Sequence, residues 1–203
     1  MGGHLAGEIA SSIAVAITKE YVKQHKDGDY ESFEAVLQTA VEAANSAIYE
    51  KAAENMNLSG MGTTVSMIFL DGGKVYWAHV GDSRIYLMRG GALRQITKDH
   101  SLVERLLDSG SITEEEARVH PRRNVLTRAV GVSKEIAVDT GAEEAKIGDR
   151  WLLCTDGLTN MVPDEKIKEI IIKESCDEAL DALFAAALKS GGLDNITAVL
   201  VDI

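Results

Sequence analysis

The chain has 203 residues, of which 45% are hydrophobic and 26% charged, with a formal net charge of −11 and only two prolines. That size and balance suit a soluble fold with its own hydrophobic core, and they exclude a disordered or repetitive chain. The acidic excess repels nucleic acids and anionic membranes, and no apolar run approaches the ~20 residues that cross a bilayer, so neither partner is expected.

Residues 4 to about 24 carry Leu5, Ile9, Ile13 and Ile17 at four-residue spacing, which predicts a helix. A second helix is expected from about Glu31 to Glu54, with Phe33, Val36, Leu37, Ala40, Val41, Ala44 and Ile48 along one face. The turn signal Lys26-Asp27-Gly28-Asp29 between them makes an antiparallel hairpin. Four short strands follow, at Thr63–Leu70, Lys74–Val80, Arg84–Met88 and Ala92–Ile96. Tight connections at Asp71-Gly72-Gly73, Gly81-Asp82-Ser83 and Arg89-Gly90-Gly91 suggest one antiparallel meander.

Residues 101 to 120 turn helical and polar, with a capping box at Thr113-Glu114-Glu115-Glu116, before the irregular His120-Pro121-Arg122-Arg123-Asn124. Strands return near 137–142 and 150–154. Pro163-Asp164 opens a helix with Ile167, Ile170 and Ile171 inward. Asp177 opens another, with Leu180, Leu183, Phe184, Ala187 and Leu188 inward and Gly191-Gly192 as its stop. The chain ends in a strand from Asn195 to Ile203. Helices and antiparallel strands in separate blocks indicate an α+β fold, packed most economically as helix pairs over a β-sandwich. No repeat or linker interrupts the chain, so residues 1–203 form a single domain in this reading.

Cys154 sits in the apolar run Trp151-Leu152-Leu153-Cys154 and reads as a small buried residue, and with Cys176 it makes no disulfide framework. No secretory signal precedes the first helix, so a cytoplasmic location is expected.

Three aspartates stand at strand ends beside residues that allow sharp turns: Asp82 in Gly81-Asp82-Ser83, Asp156 before Gly157, and Asp194 in Gly191-Gly192-Leu193-Asp194-Asn195. Each alone reads first as a turn former, and only the three together raise a metal site to equal standing. Converging at one rim they would repel one another unless cations neutralised them, and hard oxygen ligands favour Mg²⁺ or Mn²⁺. Such ions polarise phosphoryl oxygens and acidify bound water, which makes metal-assisted phosphoester hydrolysis the natural chemistry. His4, near a helix start, reads alone as a capping or surface histidine, and His79 as a satisfied core or rim residue. His100 and His120 flank the irregular insert. Arg122 and Arg123 are either a solvated loop or, beside an anion-processing site, an attractor for a phosphorylated substrate. Gly60-Met61-Gly62-Thr63-Thr64 lacks the Lys of a phosphate-binding loop and precedes a strand.

Six segments carry a family resemblance in order and spacing: Met1-Gly2-Gly3-His4-Leu5-Ala6-Gly7-Glu8, Gly60–Thr64, Ala78–Arg84, Thr97-Lys98-Asp99-His100-Ser101, Cys154–Thr159 and Gly192–Thr197. Together they resemble the bacterial metal-dependent protein phosphatases of the type-2C (PPM) family over essentially the whole chain. The resemblance implies a four-layer αββα fold: an antiparallel β-sandwich flanked by two pairs of antiparallel helices. It implies hydrolysis of phosphoserine and phosphothreonine in proteins by a metal-activated water, with two and possibly three Mn²⁺ or Mg²⁺ ions and no phosphoenzyme. Asp156 and Asp194 match ligands of the binuclear centre, and Asp82 matches a ligand, shared with Asp156, of a third metal. His4 matches a histidine that helps protonate the leaving group. The segment from about Ser101 to Val130 matches a flap that modulates substrate access. Phosphorylated proteins would be the partners, and a bacterial Ser/Thr kinase the opposing enzyme.

The same comparison places the family's bridging Asp-Gly, and a hairpin bearing a phosphate-binding Arg, ahead of Met1. A methionine at that variable position, read as a start, would give this chain. On that expectation the sandwich lacks N-terminal strands, its edges favour self-association, and activity is impaired. The alternative is a non-catalytic, phosphatase-like binding module.

Overall fold

The computed structural model describes residues 4–26, 28 and 31–203, with side chains described from Ala6 onward. The chain divides into two compact units, one of residues 1–81 with 99–143 and the other of 82–98 with 144–203.

The first unit is a helix pair on a sheet. Helix α1 (His4–His25) and helix α2 (Phe33–Glu54) form the expected hairpin. Ser32 caps α2, its side chain accepting the Ala35 N–H at 3.2 Å. Every apolar residue expected inward on α2 is buried, and Asn45 joins them. On α1 the deepest stripe is Ala6, Ala10 and Ala14, while Ile9, Ile13 and Ile17 pack partly buried around the same core. Small residues thus take the closest contacts and larger ones flank them. Strands β1 (Val65–Asp71) and β2 (Lys74–Val80) pair antiparallel, and β5 (Asp139–Glu144) lies on the other side of β2. The hairpin turn uses Gly72 and Gly73, both at positive φ, the geometry that matches strand twist. Ala78 and Val80 join Leu37, Val41, Ile48 and Met61 in the core. This unit also carries α3 (Leu102–Asp108) and α4 (Glu114–Val119), the latter with the predicted capping box of Thr113 and Glu116. The insert closes at its base, where Leu102 N–H donates to Val125 O and Thr127 N–H to His100 O, both at 2.8 Å.

The second unit is a four-stranded sheet in the order β4 (Ala92–Gln95), β3 (Arg84–Arg89), β6 (Arg150–Cys154), β7 (Ala198–Asp202), every neighbour antiparallel. Helices α6 (Asp164–Lys173) and α7 (Cys176–Lys189) share its core. Tyr86, Leu152 and Cys154 from the strands meet Ile167, Ile171 and Leu183 from the helices. The short α5 (Asp156–Thr159) follows β6 directly.

Two expectations are corrected. The four strands from 63 to 96 do not form one meander: β1 and β2 belong to one sheet, β3 and β4 to another, and the change falls at Gly81-Asp82-Ser83. Gly81 sits at φ +116°, outside the range of an extended ladder, so the chain turns away there. Helix α7 does not bury Phe184 or Leu188, which are 40% and 62% exposed. Its inward stripe is Ala179, Leu183 and Ala187, a single row at four-residue spacing. The α+β class, the antiparallel pairing and the helix pairs are as expected.

Candidate metal centre

The second unit brings all three aspartates to one end of its sheet. Strands β3, β6 and β7 are consecutive neighbours, and their register sets Arg84 opposite Cys154 and Cys154 opposite Ala198. Asp82 lies two residues before Arg84, Asp156 two after Cys154, and Asp194 four before Ala198. In antiparallel strands the start of one, the end of the next and the start of the third coincide, so the three share one rim.

Two interlocks fix Asp156 against Asp194. Thr155 N–H donates to Thr197 O at 3.0 Å, and Thr197 N–H returns a bond to Thr155 Oγ1 at 3.1 Å, carrying the β6–β7 pairing past the ladder. Gly157 then packs backbone to backbone on the opposite loop. A Cβ there would overlap the Asn195 carbonyl oxygen and stand 3.0 Å from Asn195 C and 3.5 Å from Asp194 C. Hydrogen alone fits, and the absence of a side chain keeps the two carboxylate-bearing segments together.

Asp156 is the first residue of α5, half-buried, and accepts a hydrogen bond from Asn160 Nδ2 at 3.2 Å. Asp194 is exposed, and its Oδ1 accepts the Asn195 N–H at 2.7 Å. Asp82 is half-buried at the sheet change. Among the described residues no three carboxylate, imidazole or thiolate groups are gathered closely enough to cage an ion. The donor set is nonetheless of the kind a hard divalent cation uses: Mg²⁺ in particular keeps several waters and takes one or two carboxylates, with phosphate oxygens completing its shell. Asp156 and Asp194 fit that description.

His4 opens α1, but its side chain, with Met1-Gly2-Gly3 ahead of it, lies outside the described residues. Arg122 and Arg123 belong to the first unit, both exposed in a turn in which His120 Nδ1 accepts Arg122 N–H and His120 O accepts Arg123 N–H, each at 3.1 Å. His79 is fully buried, 2.9 Å from Ser66 Oγ through its Nδ1, as a satisfied core histidine should be.

One polar cluster of the first unit was not anticipated. His100 is only 6% exposed; its Nδ1 lies 3.1 Å from the Gly81 N–H donor and its Nε2 3.1 Å from Asp139 Oδ2. Arg128 donates to the other oxygen of Asp139 at 2.6 Å. Burial pushes the His100 imidazole below its ordinary pKa, against the pull of Asp139. Burial raises Asp139, but hydrogen bonds from His100 and Arg128 outweigh it and leave the carboxyl below its usual range. The sequence separations, from 81 to 139, hide this cluster; only the motif position of His100 hinted at a role.

Residues 1–200 match the family model described as protein phosphatase 2C. The chain is 42% identical over 204 residues to the serine/threonine phosphatase stp of Listeria innocua, covering 100% of this chain and 81% of the relative. It is 42% identical over 203 residues to the serine/threonine protein phosphatase PstP of Mycobacterium tuberculosis, covering 39% of that longer protein. A crystal structure of the Mycobacterium tuberculosis serine/threonine phosphatase PstP/Ppp superimposes with a TM-score of 0.92 at 42% identity, over all of this chain and 85% of that one. The PstP catalytic domain in complex with two manganese ions gives 0.89 at 40% identity, over all of this chain and 84% of that one.

Proposed function

The chain belongs to the protein phosphatase 2C family, and we infer from that premise that it is a metal-dependent protein phosphatase acting on phosphoserine and phosphothreonine. The observation that supports this reading is that Asp156 and Asp194 follow and precede the same end of the neighbouring strands β6 and β7, with the Gly157 and Asn195 backbones in close contact. A relative of the same fold holds two manganese ions, and an all-carboxylate donor pair suits Mn²⁺ or Mg²⁺ better than zinc.

Asp156 and Asp194 would hold the ions of the reaction centre, with Asp82 sharing a further ion with Asp156. When bound, such ions supply Lewis acidity: they polarise the phosphoryl oxygens and make water a better nucleophile at neutral pH. The chain's own residues do the rest. The rigid β6–α5 junction orients Asp156, and the Asn160 amide fixes one of its oxygens. His4 is assigned to protonating the leaving serine or threonine oxygen. Arg122 and Arg123, exposed on the insert of residues 101–130, are assigned to drawing the phosphorylated segment in, and the insert to gating access. Phosphorylated proteins, set by a Ser/Thr kinase, are then the substrates, in the cytoplasm.

The test is hydrolysis of a phosphothreonine peptide by the chain in Mn²⁺, with Asp156→Asn and Asp194→Asn beside it. Each substitution is expected to lower kcat/KM by about 100-fold or more, since ion-borne stabilisation of phosphoryl charge is worth several kcal/mol. Turnover indifferent to both substitutions, or to chelation of the metal, would overturn the assignment. A chain that binds phosphopeptides without hydrolysing them would establish the binding-module alternative.

A further inference from the structure

We propose that His100, set in place by Asp139 and Arg128, is a positioning residue for Asp82: its imidazole holds the Gly81 peptide, and through it the turn that carries Asp82. The proposal rests on the phosphatase reading above, in which Asp82 helps hold a metal ion.

The geometry is a two-way clasp. Gly81 N–H donates to His100 Nδ1 at 3.1 Å, and His100 N–H donates to Gly81 O at 2.7 Å. Both polar groups of one residue are thus taken by one partner, at the point where the chain leaves β2 and turns into Asp82. Gly81 sits at φ +116°, and a Cβ there would overlap the Thr64 side chain, so glycine is required. A glycine backbone has a wide conformational range of its own, and the two bonds to His100 restrict it.

The tautomer of His100 follows from its partners. A backbone N–H can only donate, so Nδ1 must present its lone pair, and the ring proton must sit on Nε2, where it donates to Asp139 Oδ2. Asp139 in turn is anchored by Arg128 through its other oxygen, at 2.6 Å. The relay runs Arg128, Asp139, His100, Gly81, and each member fixes the orientation of the next. The His79 ring, 4.8 Å away centroid to centroid, and the Asp99 charge complete the surroundings of the imidazole.

The relay makes an isosteric test available. In Asp139→Asn the amide oxygen stays with Arg128, and the amide NH₂ turns toward His100 Nε2. That forces the ring proton onto Nδ1, where it faces the Gly81 N–H and breaks the imidazole half of the clasp with no change in volume, while the backbone half stays. His100→Asn does the opposite: its Oδ1 stands one bond from Cγ, as Nδ1 does, and can still accept from Gly81. His100→Ala removes both bonds of the ring.

Two readouts are taken on the full chain: hydrogen exchange of the Gly81 and Asp82 amides, and Mn²⁺ affinity measured by electron paramagnetic resonance, with phosphopeptide turnover as the activity control. Asp139→Asn and His100→Ala are expected to speed exchange at Gly81 and to weaken Mn²⁺ binding by about tenfold, the usual effect of losing an outer hydrogen-bond partner of a metal site. His100→Asn is expected to retain most of both. Wild-type exchange and affinity in Asp139→Asn, or a His100→Asn variant as impaired as His100→Ala, would overturn the proposal. A wild-type chain that binds no Mn²⁺, with or without turnover, sinks the metal reading of Asp82 and this proposal with it. A wild type that binds Mn²⁺, with variants indistinguishable from it, sinks this one alone.

Discussion

The two ends of strand β6 carry an aspartate each, and the two are treated in opposite ways. At the N-terminal end Asp149 is 1% exposed and saturated. Arg89 grips it through Nε at 2.7 Å and Nη2 at 2.6 Å, and the Lys146 N–H adds a third bond at 2.9 Å. Arg150 pairs with Asp202 at the same end, and Gly148 N–H and Ile203 N–H close the loops over it. At the C-terminal end Asp156 and Asp194 stand half-buried and exposed, on backbone segments locked together by Gly157 and Thr155. The carboxylate at the N-terminal end is buried under the protein's own donors. In the phosphatase reading, the two at the other end stand nearer to solvent on interlocked backbone, where an ion could reach them. On that reading burial, more than the aspartate itself, separates the two ends.

The sharpest way to break this comparison is to neutralise both ends in turn. Asp149→Asn should destabilise by about 2–3 kcal/mol, below the full cost of orphaning a buried charge because Arg89 is partly open to water. It should leave kcat/KM within about twofold, because it touches nothing at the rim. Asp156→Asn should do the reverse, abolishing Mn²⁺-dependent turnover while shifting the urea midpoint little. If Asp156→Asn unfolds the protein as Asp149→Asn does, the two ends do not differ in kind.

Gly157→Ala probes the lock between the carboxylates. The added methyl meets the Asn195 carbonyl, which is backbone and cannot swing aside. Overpacking of that sort costs about 1–3 kcal/mol, and here it also separates Asp156 from Asp194. Both a lower unfolding midpoint and a higher Mn²⁺ requirement are expected, measured by urea titration and by metal-dependent hydrolysis.

A smaller effect should appear with pH. His100 titrates lower in the fold than in the unfolded chain because burial disfavours its cation. As pH falls through about 6.5, the ordinary imidazole value, the unfolded chain takes up the proton first, so stability falls with pH. It levels off once the folded imidazole is also protonated. Asp139 and Asp149, whose carboxyls titrate below their ordinary values, lose their contributions only at lower pH. The difference in urea midpoint between wild type and His100→Asn, followed from pH 8 to 5, isolates the imidazole. A difference that stays constant across that range would contradict the neutral buried ring.

Much of this was legible from residue order alone. Helix α2 could be placed with its buried face complete, because a 3.6-residue period over six turns leaves one solution. The turns at Gly72-Gly73 and Gly90-Gly91 were legible because only glycine takes those angles cheaply. The face of α7 was not: alanine, leucine and phenylalanine surround most of that helix, so periodicity fixes its existence but not its phase, and Phe184 and Leu188 fall outside. The change of sheet at Gly81 was hidden because two hairpins of one meander and two hairpins of separate sheets have the same local pattern. The three aspartates could be named singly from their turns; that they share one rim needed the register of β3, β6 and β7. The His100 relay was hidden because its four members stand apart in the chain, at 81, 100, 128 and 139, and their spacing has no pattern of its own.

The smallest expected effect tests the weight of burial from its weak side. Lys166 Nζ lies 2.7 Å from Glu169 Oε2, close to the 2.6 Å of the Arg89–Asp149 contact. Both partners are more than half exposed, with side chains 55% and 56% accessible. Lys166 holds the Glu169 carboxyl below its usual range, but water and salt screen the attraction and each partner is equally well hydrated when apart. Lys166→Ala should therefore leave the urea midpoint unchanged within error at physiological salt, while Asp149→Asn lowers it plainly. A comparable loss in both would mean that contact distance, and not burial with full hydrogen bonding, governs the worth of these pairs, and the contrast between the two ends of β6 would lose its physical basis.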